Sequence, residues 1–227
     1  TGFFFRYQNQ EYLVTNRHVV VDEDGQHFPD LLTMTLHRSR AVLSDNWLVD
    51  VRLYDGERRL WLEHPDRDAN MCDVVLLPLD RTTLVDEMYD RFRASPVTCM
   101  PSEIINTREI YPFGALVVIG YPLGFHDKVH NLPVYRKATV ASCYGVDFGG
   151  LPYFLVDAHL HPGTSGSPVV NSHHTLFRQE GFGEGYALFG VYSAQHVVDE
   201  EPLGLHVVWY AHLLTDIAAS VADLRGE

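Results

Sequence analysis

What this chain lacks narrows its chemistry before any motif is read. Its three cysteines, Cys72, Cys99 and Cys143, are an odd number without framework or metal-type spacing, so neither a disulfide scaffold nor a thiolate metal site is expected. They read as small buried hydrophobes, which favours a reducing, cytoplasmic compartment. No apolar run approaches a membrane span; the longest, such as Ala115 to Gly120, are strand-sized. Positive charge is scarce, with 17 Lys and Arg against 30 Asp and Glu and a net charge of −13. A nucleic-acid backbone or an anionic membrane is therefore not an expected partner. An initiator Met and a signal peptide are also missing, and the chain opens inside a strand pattern at TGFFFRY. It is read as a piece of a longer protein, and beyond the leaning given by the thiols its localisation stays open.

What is present is apolar and strand-forming. Apolar residues make up 46% of 227 residues, with 12 Phe and 12 Tyr, enough to bury about 70% of the unfolded surface in one large or two small domains. Phe3 to Val21 reads as two strands around a polar turn at Gln8 to Gln10, with His18 ending the second. Short β runs follow at Leu32 to Leu36, Ala41 to Leu43, Trp47 to Tyr54 and Leu60 to Leu62, and the whole reads as one closed or nearly closed β unit. From Thr82 to Ser95 the period changes, and Leu84, Val85, Met88 and Phe92 recur at helical spacing. Pro96 and Pro101 then mark a linker at residues 95–113, between a first unit over 1–94 and a second over 114–210. In the second unit the loop Tyr121 to Pro133, rich in Gly, Pro and His, reads as a substrate wall or as a plain connection. Residues 211–227 close the chain as a helix whose apolar face is Leu213, Leu214, Ile217, Val221 and Leu224.

Three places carry chemistry. In DAHLHPGTSGSPVV, Asp157 to Val170, Ser165 sits between Gly163 and Gly166, just after Pro162. Glycines can take backbone angles closed to other residues, so such a turn can present one hydroxyl and turn amide N–H groups outward, the makings of an oxyanion site. Asp73 opens the apolar run Val74 to Leu77. A carboxylate there is costly to desolvate without a donor, and an imidazole N–H is one. His18, placed where a buried strand leaves its sheet, is the candidate donor.

Taken together, these stretches resemble the chymotrypsin-like (trypsin-like) serine protease superfamily, nearest to bacterial trypsin-like peptidases and HtrA-type (Do-like) protease domains. The matching strings are TNRHVV around His18, DVVLLPL from Asp73, VVIGYPLG from Val117, DAHLHPGTSGSPVV around Ser165 and GVYSAQ from Gly190. The order His, Asp, Ser fits as well, as do the 55 and 92 residues that separate them. The resemblance implies an all-β fold of two antiparallel six-stranded barrels with the active site in the cleft between them, plus a short connector helix and a C-terminal helix. It implies a serine endopeptidase with Ser165 as nucleophile, His18 as general base and acid, and Asp73 orienting the imidazole. The N–H groups of Gly163 and Ser165 would form the oxyanion hole. Ser193 matches the serine that hydrogen-bonds the catalytic Asp, and Ala194 and Gln195 match the edge to which an extended substrate adds as a strand. The partner is then a protein or peptide substrate, with a regulatory domain or partner protein outside this chain also expected, and with no cofactor or metal.

Two positions depart from the family pattern. Thr164 stands where many members carry an Asp that receives a freed N-terminal amine, and a neutral Thr cannot make that ion pair. His159 lies where the floor of the primary specificity pocket would be, so a preference for Arg or Lys is not expected. With Leu160 and Val207 or Val208 nearby, a neutral His159 suits an apolar side chain and a protonated one an acidic side chain. Two other readings compete: a zinc site from His159, His161 and either His173 or His174, and a protease fold serving as a binding or scaffolding module with a latent triad.

Overall fold

The computed structural model describes residues 1–23, 26–66, 71–102, 115–172 and 186–225. The first half begins with β1 (Phe3–Tyr7) and β2 (Gln10–Asn16), an antiparallel pair turned at Gln8, the residue that takes a positive φ. β2 then pairs antiparallel with β7 (Val74–Pro78), whose Val74 to Leu77 are fully buried. β1 pairs in parallel with the two-residue β8 (Met100–Pro101), and the sheet order is β7-β2-β1-β8. β3 (Leu31–His37) and β4 (Asn46–Arg52) form a seven-pair hairpin, and β5 (Tyr54–Asp55) with β6 (Arg58–Arg59) a two-pair one.

The second half is a closed barrel. β9 (Ala115–Gly120), β10 (Val134–Val140), β11 (Tyr153–Ala158), β12 (Pro168–Ser172), β13 (Tyr186–Val198) and β14 (Glu201–Tyr210) run in the order β10-β11-β14-β13-β12-β9. Its interior is filled by residues that alternate along the strands, among them Leu116, Val118, Phe154, Val156, Phe189 and Val208.

The expectation of two closed six-stranded barrels is corrected in the first half, where the described residues form an open sheet and two hairpins. β5, β6 and β8 are two residues long, and β3 pairs with β4 alone among the described residues, so no continuous ladder goes round. Side-chain packing does the closing instead: Leu13, Val75 and Leu77 from the sheet meet Leu36, Val49, Val51 and Leu53 from the hairpin side in one core. The expected strand at Ala41 to Leu43 is a turn, closed by the Asp45 N–H to the Val42 carbonyl at 3.1 Å. Leu60 to Leu62 contributes a single bridge, Leu62 to Leu76. The helical period after Thr82 becomes the connector helix Asp86–Ala94, whose Phe92 enters the first-half core. Residues 103–114, most of the expected linker, lie outside the described residues.

A separate core joins the halves. Phe5, Val14, Cys72, Val74 and Leu76 of the first half pack with Tyr153, Leu155, Val170, Val191 and Trp209 on the outer face of the barrel. The C-terminal helix, His212–Arg225, lays Leu213, Leu214, Ile217 and Ala218 into this core. Its Leu214 is fully buried, so Leu214→Ala is expected to lower the unfolding free energy by about 2–5 kcal/mol, read as a fall in the urea midpoint.

Candidate active site

β2 ends at Asn16, and the chain turns at once into a one-turn helix, Arg17–Val20, that carries His18. His18 is thus on a helix rather than on the end of a strand. The turn is made by backbone capture: the Asn16 side-chain amide and the Arg17 N–H both donate to the Asp73 carbonyl, at 2.7 and 3.2 Å, and the Val21 N–H closes on the Arg17 carbonyl at 2.8 Å. The residue before β7 is therefore tied to the residue before His18 by main-chain geometry, whatever their side chains do.

The side chains then converge. His18 Nδ1 lies 2.7 Å from Asp73 Oδ2, and the His18 N–H donates to Asp73 Oδ1 at 3.0 Å. The Ser193 hydroxyl, from β13 across the interface, donates to the same Oδ2 at 2.6 Å. Three donors thus meet the carboxylate that the apolar start of β7 obliges to find them. With Nδ1–H pointed at Asp73, Nε2 is left as the basic nitrogen. The Asp73 hydrogen bond raises the His18 pKa above its usual value of 6.5, against a smaller opposing push from burial. The ring is reachable, at 43% side-chain exposure.

Ser165 lies on the turn between β11 and β12, half-buried, with its hydroxyl donating to the Ser193 carbonyl at 2.9 Å. Among the described residues no hydrogen bond joins it to His18. The flanking glycines have the expected geometry, with φ of +89° at Gly163 and +82° at Gly166. A Cβ on Gly166 would collide with the Thr1 carbonyl and come within 2.6 Å of Thr15 Oγ1. Neither the Gly163 nor the Ser165 N–H has a hydrogen-bond partner among the described residues. Thr164 is fully buried, and its hydroxyl donates to the His161 carbonyl at 2.5 Å, so a neutral residue within the turn fills the position where an ion pair was ruled out.

Ser193 is buried, whereas Ala194 and Gln195 are exposed on the stretch of β13 where the register with β14 shifts. β12 pairs with β13 only as far as Val191, so beyond it one edge of β13 has no strand partner among the described residues.

His159 is exposed, its carbonyl held by Arg136 Nε at 3.1 Å, and its ring meets that of His161 edge to face at 4.7 Å. No group of three or more His, Cys, Asp or Glu side chains able to hold a metal ion occurs among the described residues, and His173 and His174 lie outside them. Leu160 packs with the barrel interior, which includes Val208, while Val207 faces the core between the halves. The residue that sequence reasoning missed is His206, 2% exposed, with Nδ1 3.3 Å from the Tyr192 hydroxyl. Burial holds its pKa below 6.5. Its signal was its place in β14, where 206, 208 and 210 alternate inward, but a lone His in an apolar strand reads equally as a surface residue.

Titration of the His18 ring by NMR is expected to give a midpoint above 6.5, and Asp73→Asn, which removes the carboxylate that favours the protonated form, is expected to lower it.

No curated protein matches this chain. Among solved structures, an inactive form of the Rv3671c protease shares 16% identity over 97% of this chain and 82% of that one, with a TM-score of 0.47. The active form of the Rv3671c protease from M. tuberculosis shares 17% over 96% and 71%, with a TM-score of 0.48. The family model described as the trypsin-like peptidase domain matches residues 1–177. That match runs through His18, Asp73 and Ser165, and the chain belongs to the trypsin-like peptidase family of protease domains.

Proposed function

We propose that the protein is a serine endopeptidase that cleaves peptide bonds through an acyl-enzyme intermediate, with Ser165, His18 and Asp73 as the triad. The reading is carried by the Asp73 carboxylate, which receives the imidazole of one half and the Ser193 hydroxyl of the other on a single oxygen. The two halves with their terminal helix then act as one protease unit.

In the reaction, the Ser165 hydroxyl leaves the Ser193 carbonyl and turns to His18 Nε2, which takes its proton as Oγ attacks the scissile carbonyl. Negative charge develops on the carbonyl oxygen and is met by the Gly163 and Ser165 N–H groups, each worth about 3 kcal/mol of barrier. The imidazolium, stabilised by Asp73, returns the proton to the departing amine. A water activated by the same nitrogen then hydrolyses the ester. An extended substrate pairs with the open edge of β13 at Ala194 and Gln195, which suits recognition of main chain rather than of particular side chains.

The second reading, a latent module that awaits a partner protein or domain, is favoured by one observation: the Ser165 hydroxyl rests on Ser193 rather than on His18. A fluorophosphonate probe separates the two. Labelling of wild type and not of Ser165→Ala is expected; a wild type that stays unlabelled with peptide substrates and effectors present sinks the enzyme reading. For an active protein, Ser165→Ala is expected to lower kcat by on the order of 10⁶.

The pH profile follows from the sign of the His18 shift. A general base must be neutral, and a raised pKa keeps it protonated to higher pH. Activity should therefore rise with pH through a midpoint above 6.5, and a kcat/KM profile with its acid limb below that value would count against His18.

A further inference from the structure

An oxyanion hole needs a peptide plane held in one orientation, and what holds it in this protein is not an ion pair at position 164. The Pro162 and Gly163 carbonyls, one on each side of the Gly163 α-carbon, are both captured, the first by the segment that follows β9 and the second by Thr1, to which that segment also bonds. The Leu123 N–H donates to the Pro162 carbonyl at 2.7 Å. The Thr1 hydroxyl accepts from the Tyr121 N–H at 3.2 Å and donates to the Gly163 carbonyl at 2.6 Å. Thr1 is itself anchored, since the Thr15 hydroxyl donates to its carbonyl at 2.8 Å. In a trans peptide the C=O and the following N–H point in opposite directions. With Pro162 C=O fixed toward Leu123, the Gly163 N–H must point away from that segment.

The segment is shaped for this contact. Leu123 has φ +52° and ψ 26°, a left-handed conformation that is strained for a residue with a Cβ. Its side chain, 71% exposed, recovers little of that by burial. A Cβ on Gly163 would come within 2.8 Å of the Tyr121 carbonyl and 3.0 Å of the Leu123 nitrogen, so the two backbones meet as closely as glycine allows. Strain that burial does not explain marks a backbone placed for what it touches.

We propose that the Thr1 hydroxyl and the Leu123 amide are positioning groups that lock the oxyanion turn in its working orientation, in place of the ion pair that Thr164 cannot make. The loop read from sequence as a substrate wall is then first of all a clamp on the nucleophile turn. The proposal rests on the serine-protease reading above.

The test is Thr1→Val, which removes the hydroxyl and keeps the shape, beside Thr1→Ser, which restores it. With a peptide substrate, Thr1→Val should lower kcat roughly tenfold at nearly unchanged KM, a part of the 10²–10³ lost with a whole oxyanion donor. It should weaken a peptide boronic acid, whose adduct mimics the tetrahedral intermediate, by the same factor. Product-peptide affinity should stay unchanged, and Thr1→Ser should return kcat to within twofold of wild type. Replacing Leu123 by its α-hydroxy acid, which deletes only the N–H, should act in the same direction. Wild-type kcat in both Thr1→Val and the hydroxy-acid variant, or equal losses of boronate and product affinity, would overturn the proposal while leaving the protease reading intact. A wild type that neither cleaves nor labels overturns both.

Discussion

Everything at this site depends on one carboxylate being satisfied from two directions. Asp73 sits at 23% side-chain exposure at the head of a strand whose next four residues are buried, so it meets a desolvation cost that water repays only in part. The His18 ring and N–H supply the first-half donors and the Ser193 hydroxyl the second-half donor. The full set of hydrogen bonds to this group is thus made only when the halves are in register. That register is set by the core of Phe5, Val14, Val74, Leu155, Trp209 and the terminal helix, which is apolar, large and remote from solvent. Apolar burial contributes the energy and the carboxylate the precision, as expected when a non-directional force assembles a directional site.

The same division runs through the Ser165 turn. Gly166 lies against Thr1 and Thr15, and Gly163 against Tyr121 and Leu123, so both glycines are required by close approach as well as by positive φ. The turn is therefore wedged between the start of the first half and the first loop of the second. Thr164, fully buried, turns its hydroxyl back to His161 and asks nothing of the rest of the protein. A turn held by main-chain contacts and by the Thr164 and Thr1 hydroxyls carries no charged side chain that must be neutralised before it orders.

How much of this was legible in the sequence follows from what kind of contact each feature is. Asp73 needed a donor because of the apolar run behind it, and that local argument led to His18. The serine turn showed itself through glycine and proline, whose backbone limits are local too. The terminal helix was readable because burial of one face imposes a helical period on its apolar residues. What escaped reading depends on pairs far apart in the chain. The helical turn at His18 is made by the Asp73 carbonyl, the clamp at Gly163 by Thr1 and Leu123, and neither leaves a periodicity or composition signal. The open first half escaped for a related reason, since strand-forming runs such as Leu32 to Leu36 and Trp47 to Tyr54 say nothing about how many partners each strand finds. His159 was placed from the family pattern alone, and what holds its backbone, a hydrogen bond from Arg136 on β10 to its carbonyl, leaves no local signal, nor does the edge-to-face contact of its ring with His161.

Among 13 histidines, two are pushed in opposite directions, and the contrast says what makes an imidazole fit for acid–base work. His206 is the more buried, meets a neutral phenol, and has its charged form disfavoured by desolvation. His18 is partly open, meets a carboxylate, and has its charged form favoured. Burial alone yields an inert neutral ring inside the barrel. A carboxylate alone, in water, would yield an exposed pair of little worth. A ring that must gain and lose a proton within each turnover needs a partner that stabilises the cation together with one nitrogen that substrate can reach. In this chain the edge of the interface supplies both, because there a strand head can be desolvated while the next turn of chain stays open.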